Sequence, residues 1–192
     1  MKPVFSIHAG EYLVVSDLEE RYKGLQIWLP TRDTGIDLLV TNTAARTRSS
    51  TPCVSLQFKF SKDFLGNRGG KDTTGLINSK IKAGGWWKYN NKKIEKSPAD
   101  LWVLVLYRFS HRDYDFVIIQ PSELLARYKQ LGSTSGTIQS YFWVTEDSCC
   151  WETRGLRKAE QEAIAEGSFQ DDIRDFTPFL NNWKPMEKMI GL

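Results

Sequence analysis

Three polar residues interrupt two otherwise apolar segments, and their types are those that phosphoryl chemistry uses. A carboxylate sits inside Gly35-Ile36-Asp37-Leu38-Leu39-Val40. An amide and an ammonium sit inside Val54-Ser55-Leu56-Gln57-Phe58-Lys59-Phe60. Burying a lone carboxylate costs on the order of several kcal/mol unless a partner meets it. A hairpin centred near Thr47 sets position 37 opposite position 57, and period-two alternation puts Gln57 and Lys59 on one face with Asp37 beside them. Together with a strand carbonyl, such a set offers the hard oxygen ligands that Mg²⁺ prefers. The metal would polarise a phosphate oxygen and acidify a bound water. The lysine would orient that water or stabilise charge growing on the phosphate. A cross-strand Asp–Lys pair is also an ordinary salt bridge. Against that plainer reading stand the apolar surroundings, the amide of Gln57, which has no part in a simple ion pair, and Gly35, which admits a close backbone approach just before Asp37.

The elements that must position these groups follow from periodicity and turn residues. Residues 9–23 read as a helix, with Tyr12, Leu13, Val15, Leu18 and Tyr22 as its apolar stripe and Gly24 ending it. Glu11, on this helix, is the expected additional carboxylate. Residues 25–29, 35–42 and 53–60 read as three strands, the last two joined by a polar hairpin loop. Residues 62–98, rich in Gly, Lys and Asn, read as irregular. Two further strands are expected at 101–107 and 115–120, then a helix from Pro121, a strand near 140–144 and a charged helix over 155–166 closed by Gly167. A mixed tail holds Phe176, Phe179 and Trp183.

Glu11 on a helix, then Asp33-Thr34-Gly35-Ile36-Asp37, then Gln57-Phe58-Lys59, is an order that resembles the restriction-endonuclease-like, or PD-(D/E)XK, nuclease superfamily over roughly residues 9–131. The resemblance implies an α/β fold with a restriction-endonuclease-like core, a mixed central sheet of about five strands flanked by helices. By that likeness Asp37 is the metal-binding aspartate, Lys59 the catalytic lysine and Glu11 the helix-borne glutamate, with Mg²⁺ as cofactor and Mn²⁺ able to substitute. Gln57 stands where many members carry a second acid, and a glutamine there occurs in some active subfamilies. The motif's proline is not adjacent to Asp37, Pro30 being seven residues earlier. Asp33 competes with Asp37, although its turn context suits an aspartate that bonds its own backbone.

Residues 80–93 interleave Lys80, Lys82, Lys88, Lys92 and Lys93 with Trp86, Trp87 and Tyr89. The lysines are the expected phosphate contacts, with Arg46 and Arg48 of the hairpin loop, Arg68 and Lys71 extending their surface. The two tryptophans read as packing residues rather than base-stackers, because Trp is highly buried on average. A lysine run is also often only a solvated face.

Composition sets the outer limits. The chain has 192 residues, 41% hydrophobic and 26% charged, which suits one domain (core about 9–131, extension about 132–192) with a sizeable core. Its apolar runs are too short to span a bilayer, and no secretory signal opens it. Cys53, Cys149 and Cys150 lack disulfide spacing, so a reducing, cytoplasmic setting is expected, with Cys149 and Cys150 as ordinary buried or half-buried thiols. His8 and His111 lie far apart and supply no zinc pattern. A net charge of +3 permits nucleic-acid binding without requiring it. The expected activity is Mg²⁺-dependent endonucleolytic hydrolysis of DNA by a homodimer, since cutting both strands of a duplex suits paired sites. The rival readings are a non-catalytic DNA-binding module and a subunit of a restriction or defence system, with the acidic residues 160–175 facing a partner.

Overall fold

The computed structural model describes residues 9–32, 34–47, 49–61, 75–108, 113–133 and 136–192. Asp33, Arg48, Arg68, Lys71, His8 and His111 lie outside them. The chain runs α1 (Ala9–Arg21), β1 (Leu25–Trp28), β2 (Leu38–Asn42), β3 (Cys53–Ser61), α2 (Gly75–Lys80), β4 (Ile81–Asn90), α3 (Asn91–Glu95), β5 (Leu101–Arg108), β6 (Asp113–Ile119), α4 (Pro121–Gln130), β7 (Thr137–Thr145), β8 (Cys150–Glu152), α5 (Lys158–Glu166) and α6 (Lys184–Ile190). It is an α/β fold with a mixed five-stranded sheet in the order β1-β2-β3-β5-β6. The β1–β2–β3 meander is antiparallel, β3 and β5 are parallel, and β6 returns antiparallel to β5.

Each face of this sheet is covered by a different layer. Leu38, Val40, Val54, Leu56, Phe58, Leu101, Val103 and Val105 point to the side where α1 contributes Val14 and Leu18, α6 contributes Met186 and Ile190, and Trp183 packs from the N-cap of α6. On the other side Trp102, Leu104, Leu106, Val117 and Ile119 meet a second, antiparallel sheet, β4-β7-β8, together with Leu124, Leu125 and Tyr128 of α4. Beyond that second sheet, Ile77 of α2 and Ile164 and Ala165 of α5 cover Ile81 and Trp143. Among the described residues no helix is long and apolar enough to cross a membrane.

Residues 62–98 are the main departure from the sequence reading, because a ten-residue strand and two short helices occupy much of what composition marks as irregular. In β4, past a register shift between Ile81 and Ala83, Ala83, Gly85, Trp87 and Tyr89 face inward while Trp86 and Lys88 face outward. Gly84-Gly85 hides this strand, since glycine ordinarily weakens one. The glycine has a spatial reason here. A Cβ on Gly85 would lie 2.3 Å from Cη2 of Trp87, so that ring occupies the space a side chain would fill. Gly85→Ala should therefore displace Trp87 and cost about 1–3 kcal/mol, the scale of overpacking. Urea denaturation showing no loss would mean that the ring shifts freely.

Two smaller corrections concern the ends of elements. Residues 35–37 are not part of β2, because Gly35 turns the chain at φ +87°. The strand expected near 140–144 is β7, between β4 and β8, and the tail beyond Gly167 is structured, with α6 entering the main core.

Candidate active site

The register of β2 on β3 is the one the hairpin argument requires. Leu38 pairs with Leu56, Leu39 with Ser55 and Val40 with Val54. The next step places Asp37 opposite Gln57, and the Asp37 N–H still donates to the Leu56 carbonyl at 2.9 Å. On β3 the even positions 54, 56 and 58 enter the core under α1, whereas Ser55, Gln57, Lys59 and Ser61 face the second sheet. Asp37 thus arrives on their side.

Its carboxylate reaches back into the sheet. Oδ2 accepts a hydrogen bond from the Phe58 N–H at 2.6 Å, which extends the ladder one rung past the end of β2 and holds the acid between Gln57 and Lys59. Gly35 permits this turn. A Cβ there would stand 3.3 Å from Cδ of Pro98 and 3.6 Å from Nε2 of Gln57, so the close backbone approach expected before Asp37 is against Pro98. Lys59 is held at both ends. Its carbonyl accepts from Nε1 of Trp87 at 3.0 Å, and Nζ stands 5.2 Å from the ring centroid of Trp102. A cation over a largely buried indole is worth about 0.5–2 kcal/mol and limits the paths the ammonium can take. Two residues on, the Ser61 hydroxyl accepts from the Trp86 N–H and donates to the Trp86 carbonyl, fastening the edge of β4 to the end of β3.

Gln57 and Lys59 open into a cavity of about 580 Å³ whose walls include Gly35, Pro98 and Trp102. Five lysines line it: Lys59, Lys88, Lys92, Lys93 and Lys96. They come from β3, the end of β4, α3 and its C-terminal cap. Asn90 caps α3 by accepting the Lys92 N–H at 3.0 Å, so the strand-to-helix corner that presents Lys92 and Lys93 is fixed. A concavity lined by one sign of charge concentrates its field and raises the local concentration of polyanions, more strongly at low salt.

The other expected residues are placed differently. Arg46 is exposed in the β2–β3 turn, at the far end of β3 from Lys59; Cys53 to Lys59 alone spans roughly 20 Å. Lys82 bonds the Ser148 hydroxyl at 3.2 Å, near the start of β4, and Lys80 ends α2 beside it. Neither lines the lysine cavity. Glu11 lies in the first turn of α1, in the layer covering the opposite face of the sheet, and is not part of the cavity wall. Lys96 and Trp102 belong to the site and were not among the expected residues. The spacing Lys92-Lys93-Ile94-Glu95-Lys96, with Ile94 buried, is the signal that could have found Lys96. Cys53 is exposed, Cys149 half-buried and Cys150 buried, its thiol pushed up by burial.

Among the described residues no three His, Cys, Asp or Glu side chains gather into a metal-binding group. Mg²⁺ commonly keeps several waters and takes one or two carboxylates plus substrate phosphate. Asp37, like Glu11, is not among the residues that line the cavity; its carboxylate lies against the Phe58 N–H on the strand that carries Gln57 and Lys59, and one carboxylate is the lower limit of that requirement. No protein-family model, curated protein or solved structure matches this chain.

Proposed function

We propose that this chain is an endonuclease of the PD-(D/E)XK type, hydrolysing DNA phosphodiester bonds with Mg²⁺ or, in its place, Mn²⁺. One observation carries the reading: the Lys59 ammonium opens into a cavity with four more lysines, at the strand end where the Asp37 carboxylate reaches the Phe58 N–H. Asp37 and Gln57 would hold the ion, which when bound polarises a phosphate oxygen. Lys59 would position the attacking water and meet the charge that grows on the phosphate. Lys88, Lys92, Lys93 and Lys96 would neutralise the flanking phosphates, with affinity falling as salt rises. Glu11, in the helix layer, is not needed for this scheme.

Purified protein should nick supercoiled plasmid with Mg²⁺ or Mn²⁺ and stop in EDTA. A second reading, a DNA-binding module without catalysis, draws on the presence of an amide at position 57 and on a cavity wall that, among the described residues, contains no carboxylate. It predicts salt-sensitive DNA binding, no nicking with either ion, and no heat of Mn²⁺ binding with DNA present.

A further inference from the structure

We infer that the hollow beside Trp86 seats one unpaired base, which makes single-stranded DNA the substrate class of the site; the inference rests on the nucleic-acid reading above. Trp87, Trp102, Trp143 and Trp183 are buried, whereas Trp86 is 40% exposed on the outer face of the second sheet; Trp28, 54% exposed, lies on β1, an edge strand of the other sheet. Its direct cross-strand neighbour is Tyr141, and the two rings border a hollow of about 380 Å³ with Thr153, Arg154, Gly155 and Gln161. That volume is at the small end of ligand pockets. The two rings in its wall offer aromatic surface on which any base can stack, because every base has a π-face. The Gln161 amide and the Arg154 guanidinium can meet a base edge or a phosphate.

The hollow's position relative to the lysine cavity points to the occupant. Lys88 follows Trp86 by two residues, so both side chains leave β4 on the same face, about 7 Å apart. Lys88 also lines the cavity that holds Lys59. The Ser61 hydroxyl fixes the Trp86 backbone only two residues beyond Lys59 on β3, so the stacking surface and the reactive end keep a set spacing. A nucleotide with its base on Trp86 places its phosphate toward Lys88 and the next phosphate toward Lys59. A duplex keeps its bases stacked inside and must expel one, at a cost, to use such a seat. A single strand uses it directly.

The test uses the full chain in EDTA, with fluorescence anisotropy of a short labelled oligothymidylate and of a blunt duplex of equal length. The single strand should bind at least about tenfold more tightly, the scale of one stacked base. Trp86→Ala should erase that preference, and Trp86→Phe should keep most of it. Equal binding of the two substrates, or unchanged single-strand affinity in Trp86→Ala, overturns the inference. Intact single-strand preference without any nicking by the wild type supports the base seat and removes only the nuclease reading.

Discussion

Lys59→Ala should lower the rate of Mg²⁺-dependent plasmid nicking by about a hundred- to a thousandfold, the usual effect of removing one group that meets developing charge. The loss should fall on kcat, because Lys59 is the lysine next to the Asp37–Gln57 pair, while Lys88, Lys92, Lys93 and Lys96 surround the cavity from β4 and α3. Alanine at Lys92 or Lys93 should instead weaken DNA binding across all sequences and reduce the salt dependence by about one phosphate contact each. Lys59→Arg keeps a cation able to sit over Trp102 but replaces a compact ammonium with a planar fork, so it should restore binding and little of the rate. Asp37 has a structural duty as well, since its Oδ2 satisfies the Phe58 N–H. Asp37→Asn retains an oxygen for that bond and removes the charge. It should leave thermal stability near wild type while nicking disappears, whereas Asp37→Ala should also cost about 1–3 kcal/mol for the unmet donor. If Lys59→Ala and Asp37→Asn both nick at the wild-type rate, the cutting belongs to another centre or another protein.

How far the sequence alone could reach is clear from the same residues. Local alternation was enough to pair β2 with β3 and to put Gln57 and Lys59 on one face, because the apolar positions of β3 admit only one way round against the helix layer. That register also carries the hairpin turn, and Arg46 with it, to the opposite end of the strands; the pairing that sets Asp37 opposite Gln57 keeps Arg46 away from the cavity that Gln57 and Lys59 line. The cavity itself was out of reach. Its lysines come from β3, β4 and α3, and the relation between the two sheets rests on long-range contacts such as Trp87 Nε1 to the Lys59 carbonyl and Ser61 to the Trp86 backbone. Nothing periodic in the chain encodes those. The sequence hides β4 because Gly85 is a space for a neighbouring ring, and composition cannot distinguish that use of glycine from a loop. Trp86 and Trp87 share a composition argument for burial, yet alternate residues of a strand face opposite ways, and one of the two must differ.

Arg174→Ala should destabilise the fold strongly at neutral pH, and its cost should depend on pH. Glu152, on β8, is 3% exposed. Its Oε2 meets Arg174 Nη1 at 2.5 Å, and its Oε1 accepts from the Ser140 hydroxyl and the N–H groups of Tyr141 and Arg154. Burial raises the Glu152 carboxyl above its ordinary range, and Arg174 opposes that shift. A carboxyl raised in the folded state favours folding when protonated, and that contribution is lost as pH rises through the folded value. At neutral pH the carboxylate therefore depends on Arg174. Without the guanidinium the buried charge stands uncompensated, at a cost of about 3 kcal/mol, the lower part of the range for broken buried pairs because Arg174 keeps 17% of its side chain exposed. That corresponds to a fall in Tm of roughly 6–12 °C. Below about pH 4, where Glu152 is protonated, the difference from wild type should shrink by at least half. Adding Glu152→Gln to Arg174→Ala should recover part of the loss at neutral pH, since the stranded charge is gone. A loss of the same size at both pH values would assign Arg174 to packing instead. The pair also bears on function: Arg174 donates to the Arg154 carbonyl at 3.0 Å while Glu152 accepts the Arg154 N–H, so these two side chains set the backbone on which Arg154 borders the Trp86 hollow. Single-strand binding by Arg174→Ala should accordingly weaken at temperatures where the fold is still intact, and retention of wild-type affinity there would separate the ion pair from the base seat.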